Sequence, residues 1–169
     1  NAKGKLSKNA IAEGIINNVR KTIIRDQLTD PRFYSEMSKL LDDLIIQSRA
    51  DAAAYEEFLQ KAEDLVKQMM RKEPSYGVPA VLHGKPEAIV IYNNLGSITT
   101  TTLKVPLDEA GRAALALQID RTVRERAPAG WKGDEARERQ LLNALYPILS
   151  RDRVATQAMF EIIKYQSGY

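Results

Sequence analysis

Through the first part of the chain the apolar positions return every three or four places. Ile11, Ile15, Val19 and Ile23 follow at steps of four, with Asn17, Arg20, Lys21 and Arg25 on other faces, and the spacing predicts an amphipathic helix. Asp30-Pro31 predicts the start of a second. Asp offers an N-cap oxygen, and Pro suits the first helical position because its missing N–H would be unpaired there anyway. Met37, Leu40, Leu41, Leu44 and Ile45 form the stripe of that helix. Tyr55, Phe58, Leu59, Ala62, Leu65, Val66 and Met69 mark a third, backed by a charged face of Glu56, Glu57, Lys61, Asp64 and Lys67. Short turns between such helices favour antiparallel packing.

The pattern then breaks. Pro74, Gly77, Pro79, Gly84 and Pro86 are too dense for a helix or a central strand, so 74–86 reads as a connector. A helix is predicted from Pro86 through Ile89 and Tyr92 to about Leu95, with Gly96 as its stop; the β-branched run Ile89-Val90-Ile91 leaves a short strand as the competing reading. Ser97 to Val105, with its four consecutive threonines, reads as irregular or extended. Beyond it, Asp108 can cap a helix bearing Leu115, Ile119 and Val123, with Arg121, Arg124 and Arg126 at the end where cations complement the helix dipole. Residues 128–133 read as a loop. A helix from about Asp134 turns Leu141, Leu142, Leu145 and Tyr146 inward until Pro147 kinks or ends it. Ser150 and Asp152 suit the start of a last helix, whose apolar band is Val154, Ala155, Ala158, Met159, Ile162 and Ile163. The expected fold is all-α, a helical bundle in two lobes: a three-helix lobe over 3–73, the connector 74–86, and a helical lobe over 87–169.

Composition narrows the chemistry more than the fold. With 169 residues the chain can bury roughly 70% of its unfolded surface. It has no Cys and one His, which excludes a disulfide framework, a thiolate or multi-histidine metal site and a Cys nucleophile. Twenty-five Lys and Arg against 22 Asp and Glu leave +3, a balance that permits a nucleic-acid partner without arguing for one. No apolar stretch reaches membrane-spanning length and the start is no signal peptide, so the expectation is a cytoplasmic protein with no membrane partner. Asn1-Ala2 resembles a protease-cleavage scar, and the chain reads as an excised piece of a longer protein.

Catalytic templates fail one by one. Neither Gly4-Lys5-Leu6 nor Gly84-Lys85-Pro86 continues as a phosphate-binding loop. None of the 22 acidic residues has Lys two positions later, as one large class of metal-dependent nucleases requires. His83 stands in the connector and is read as structural. Asp42-Asp43 and Glu56-Glu57 are helix neighbours about 100° apart, which suits a solvated face rather than an acid/base pair. Gly130 and Gly133 follow no strand, so they make no dinucleotide fingerprint. No catalytic or metal-binding residue is assigned.

Two features remain. Arg121, Arg124, Arg126, Arg137, Arg139, Arg151 and Arg153 could track a phosphate backbone. Asp120, Glu125, Glu135, Glu138 and Asp152 interleave with them and favour internal ion pairs instead. Trp131, in a loop between helices, is an interface candidate, although folding onto its own core is the commoner fate of such a residue.

Several strings carry a family resemblance. Asn17-Asn18-Val19-Arg20-Lys21-Thr22-Ile23-Ile24, Thr29-Asp30-Pro31 and Phe33-Tyr34-Ser35-Glu36-Met37-Ser38-Lys39-Leu40-Leu41 resemble the C-terminal helical region of the R subunit of bacterial type I restriction-modification enzymes. So do Ala127-Pro128-Ala129-Gly130-Trp131-Lys132-Gly133-Asp134, Leu142-Asn143-Ala144-Leu145 and Glu161-Ile162-Ile163-Lys164, and the similarity runs from about Ala10 to Tyr169. The resemblance implies a parent with an upstream nuclease domain and two RecA-like motor lobes that use ATP and Mg to translocate DNA. Its helical region holds the subunit to the methylation and specificity subunits beside double-stranded DNA. The family's catalytic motifs match no position here, so no cofactor is expected for this piece. Under this resemblance Arg121, Arg124, Arg126, Arg151 and Arg153 stand as DNA-backbone candidates on equal footing with ion pairing, and such contacts would position the duplex without reading its sequence. The expected function is a non-catalytic docking module with auxiliary DNA contact. The rival is a structural lobe that buttresses the motor and touches neither partner; an independent small enzyme has no surviving constellation to support it.

Overall fold

The computed structural model describes residues 2–50, 55–72, 74, 77–98 and 107–169, with the backbone alone for 2–9 and 48–50. The chain is all-helical, with seven α-helices and no strand among the described residues. It divides into two compact units, one of Asn1–Gln27 and Phe33–Ser75, the other of Leu28–Arg32 and Tyr76–Tyr169. The turn at 28–32 therefore belongs with the second unit, although the helices on either side belong to the first.

The first unit holds α1 (Ala2–Asp26), α2 (Pro31–Ala50) and α3 (Tyr55–Arg71). Helix α1 takes in Ala2, which the sequence reading set aside. Val19 and Ile23 of α1 gather with Phe33, Tyr34 and Met37 of α2 and with Leu65 and Met69 of α3. Farther along α2, Leu44 gathers with Phe58 and Ala62 from the start of α3 and with Ala12 of α1. The start of α2 thus meets the ends of the other two helices, so α2 runs antiparallel to α1 and α3, which are parallel to each other. The expected stripes hold along most of their length, but Ile11 is 50% exposed and Val66 is 38% exposed.

In the second unit, α4 (Pro86–Ile98) packs against α5 (Glu109–Arg126) and α7 (Arg153–Lys164), while α6 (Glu135–Leu145) packs against α5 and α7. Helix α4 is buried at Ala88 and at every position from Val90 to Leu95. A helix that is covered on nearly all faces needs no polar side, and this settles the choice left open by Ile89-Val90-Ile91: surrounding helices outweigh the weak strand preference of β-branched residues. Two polar residues lie inside that run and both are paired. Asn93 and Asn94 donate to the two oxygens of Asp30 at 3.0 and 2.8 Å, and Asn94 Oδ1 accepts the Arg32 backbone N–H at 3.1 Å. Gln166, at the other end of the unit, donates through its amide to the Thr29 and Ile162 carbonyls. The 28–32 turn is thereby tied to α4 and to the segment after α7.

Local helix signals work as expected. Asp108, Asp134 and Asp152 each accept the backbone N–H three residues on, from Gly111, Arg137 and Ala155 at 2.7, 3.1 and 2.9 Å. Three expectations are corrected. Helix α4 does not stop at Gly96 but runs to Ile98. A Cβ at Gly96 would lie 2.9 Å from Nη1 of Arg112, whose guanidinium sits over the Tyr92 ring and donates to its hydroxyl at 2.6 Å, so the glycine makes room rather than a break. Val154 and Ala158, placed in the apolar band of α7, are exposed; Thr156 and Phe160 are buried beside Ala155, Met159, Ile162 and Ile163. Within the connector, a 3-10 turn at Ala80–Leu82 sends Leu82 fully into the core, against α4 and α5. The threonine run at 99–102 lies outside the described residues, and Ser97 and Ile98 close α4.

Replacing Asp30 by Ala would remove the carboxylate that both buried asparagine amides share, leaving Asn94 the Val90 carbonyl at 2.8 Å. Chemical denaturation is expected to show a loss of about 3 kcal/mol for Asp30→Ala, against a change within about 0.5 kcal/mol for Val154→Ser on the exposed side of α7.

Candidate assembly and nucleic-acid interface

The five candidate DNA-backbone arginines do not share one environment. Arg121 and Arg126 on α5 and Arg151 and Arg153 around the start of α7 are exposed, and among the described residues none makes a side-chain hydrogen bond or ion pair. Arg124 differs. Its side chain pairs with Asp120 one turn back at 3.1 Å and with Glu87 of α4 at 3.0 Å, and its guanidinium lies over the Tyr169 ring. Asp120 is only 8% exposed and also accepts from the Tyr169 hydroxyl. Arg124 is therefore the counter-ion of a largely buried carboxylate, and its charge is already met within the unit. Arg137 and Arg139 are likewise engaged, by Asp134 and Glu135. Of the other three acids expected to pair with arginines, Glu138 pairs with Lys164, Asp152 caps α7, and Glu125 is exposed.

Burial pushes the Tyr169 phenol well above its ordinary 10.0, and the Asp120 hydrogen bond adds to this, while Arg124 opposes it. The folded state thus holds this proton more tightly than the unfolded chain does. The stabilisation is complete below pH 10 and is lost as pH rises above it.

Trp131 is 5% exposed and belongs to the core of the second unit, its ring 5.7 Å from that of Phe160. An anchor must project from the surface to seat in a partner, and this ring is already spent inside, so the structure places Trp131 as a packing residue. Gly130 and Gly133 on either side have φ of +66° and +87°, which lets the loop turn tightly enough to fold the ring back.

The corner between α6 and α7 carries unusual backbone. Ser150 and Arg151 both lie in the left-handed region, with φ of 58° and 56°, and the Arg151 N–H reaches back to the Tyr146 carbonyl at 2.9 Å. Two successive non-glycine residues in that region are strained by about 1 kcal/mol or more each. Their side chains stay outside, and Arg153 two residues on is exposed as well.

Large apolar side chains stand outside the core in both units: Leu28, Val81, Val154 and Tyr165 in the second, and Ile11, Ile24, Ile46, Val66 and Met70 in the first. Ile24, Ile46 and Met70 are 66, 67 and 79% exposed. A groove of about 550 Å³ runs along the seam of α1 and α3, walled by Ile15, Val19, Val66, Met69 and Met70, with Tyr34 of α2 also lining it. Arg25, Asp26 and Lys72 line it where the two helices end. Sequence reasoning had counted Val66 with the core and passed over Met70 and Lys72. Their helical spacing was visible, but nothing local says which apolar positions stay uncovered.

His83 is exposed and bonds the Val78 carbonyl through Nε2 at 3.2 Å, in keeping with a structural role. Among the described residues no three acidic or histidine side chains group to hold a metal ion, and no helix is long and apolar enough to cross a membrane. Comparison of the chain with protein-family models, with curated proteins and with solved structures finds no match.

Arg124→Ala is expected to destabilise the fold by about 1 kcal/mol, a modest figure because the guanidinium is half exposed. Tyr169→Phe should flatten part of the stability loss measured as pH rises above about 10, since the phenylalanine has no proton to lose there.

Proposed function

We propose that this chain is a non-catalytic helical module of the R subunit of a type I restriction-modification enzyme, which docks onto the methyltransferase core and lends auxiliary contacts to the DNA backbone. ATP and Mg then belong to the motor of the parent polypeptide, the partners are the methylation and specificity subunits and double-stranded DNA, and the setting is the bacterial cytoplasm. The long strings that resemble that family support the identification. The observation that carries the docking role is the set of large apolar side chains outside the core of the first unit, with Met70 at 79% exposure beside a groove. A lobe that only buttressed a motor through its charged surface would have no need of such a groove. Four exposed arginines without a partner among the described residues support the DNA contact, now restricted to Arg121, Arg126, Arg151 and Arg153. The rival reading, a structural lobe, draws on Arg124 and Trp131, whose side chains are committed to the second unit itself.

The chain alone should retard duplex DNA at low salt without cleaving it or hydrolysing ATP. Each phosphate contact contributes a slope of about 0.9 in log affinity against log salt, so four give about 3 to 4. Reversing the four arginines to Glu should remove that retention, whereas Arg124→Ala should leave it unchanged. Unaltered retention in the fourfold variant refutes the DNA contact, and metal-dependent cleavage by the pure chain refutes the non-catalytic reading. Docking is tested by co-sedimentation with the methylation–specificity core: the chain should travel with the core, and failure to do so removes the docking role.

A further inference from the structure

Among the described residues the first unit is a three-helix arrangement with one place open. Helices α1 and α3 are parallel and α2 is antiparallel to both, so an up-down-up-down bundle would be completed by a helix lying in the α1–α3 seam and running antiparallel to them. The groove lies along that seam. Its α1 wall extends from Ile15 to Asp26, about 16 Å or three helical turns, which matches the span of a short helix. Val66 and Met70 stand one turn apart on the α3 lip, exposed by 38 and 79%, with Met69 and Val19 beneath them. Methionine side chains adapt their shape to an incoming apolar row, as docking grooves for helices require.

Charge sets the direction. At the end where α1 and α3 terminate, the groove carries Arg25, Lys72 and Asp26, and Arg71 stands in the last turn of α3. Asp26 is held ionised by Arg25 at 3.0 Å, so the three lining groups leave a net positive charge, to which Lys72 contributes from just past the helix end. An acidic first turn on the incoming helix meets these cations, and its N-terminal dipole faces the C-terminal ends of α1 and α3. The opposite orientation would set a helix C-terminus against two others.

We infer that the α1–α3 groove is a docking site for an amphipathic helix of a partner protein, bound antiparallel to α1 and α3, with its acidic first turn against Arg25 and Lys72 and its apolar row on Val66 and Met70. The inference rests on the docking reading above and names the site and the chemistry of what occupies it.

Fluorescence anisotropy of the full chain tests this directly. The probe is a labelled amphipathic peptide of about 14 residues with two glutamates in its first turn and leucines at i, i+4, i+7 and i+11. Its control carries lysines in place of the glutamates. The acidic peptide should bind about fivefold more tightly than the control, and Lys72→Glu should abolish that preference. Met70→Glu, at an exposed position that leaves the fold intact by circular dichroism, should weaken binding about tenfold. Equal binding of the two peptides, binding of neither, or indifference to Met70→Glu overturns the proposal. A dimer in sedimentation equilibrium that Met70→Glu dissolves would assign the groove to a second copy and also overturn it. Co-sedimentation with the methylation–specificity core separates the two levels. Docking that survives Met70→Glu refutes the groove as its site but keeps the docking role; peptide binding without docking to the core does the reverse.

Discussion

A helix buried on nearly every side can hold polar groups only if each one finds a partner, and the two asparagines of α4 meet this condition chiefly through a single carboxylate. Asp30 accepts from Asn93 and Asn94, while Asn94 turns its own oxygen to the Arg32 N–H. The remaining parts of the second unit are arranged around that helix. Leu82 enters from the 3-10 turn, α5 and α7 lie along α4, and Arg112 reaches across to Tyr92 where Gly96 leaves space. The 28–32 turn is consequently fastened to this unit by its one buried side chain, Asp30, while Leu28, Pro31 and Arg32 stay exposed. Gln166 binds the same turn from the far end of the chain, so residues at three distant points of the sequence depend on one another.

The candidate contact groups lie at the margins of this framework. Exposed arginines sit on α5 and at the α7 corner, and uncovered apolar residues line the seam of α1 and α3. Neither set disturbs the packing beneath it. Charge that the fold needs is kept apart from charge that the fold leaves free: Arg124 neutralises the buried Asp120, whereas Arg121, three positions earlier on the same helix, points to solvent. A contact surface built from such peripheral groups can be altered without unfolding its support.

What could be read in the sequence follows the range of the interaction involved. The caps at Asp108, Asp134 and Asp152 are settled within four residues, and so were visible from spelling alone. The i,i+4 pair of Asp120 and Arg124 was visible for the same reason. Gly96 was misread as a stop because its purpose lies in Arg112, sixteen residues on, and no local rule connects them. The Asp30–asparagine contact spans more than sixty residues and was announced only by two polar letters inside an apolar run. Val154 was placed inside because helical spacing identifies an apolar face but not how far a neighbouring helix covers it. Val66 reads as core and Met70 goes unremarked for the converse reason: apolar residues at core spacing can also border a seam that no described residue fills.

The corner at Ser150 and Arg151 has a further consequence. Glycine adopts the left-handed conformation without steric cost, so the same turn would form more readily with glycine at either position. At Ser150 that exchange removes only a hydroxyl. At Arg151 it removes a cation from the surface, and the gain in folding is tied to a loss of positive charge. If phosphate contact is under selection, the two neighbours have unequal freedom to change: position 150 can drift toward the relaxed residue, while position 151 is held in a conformation its own side chain disfavours.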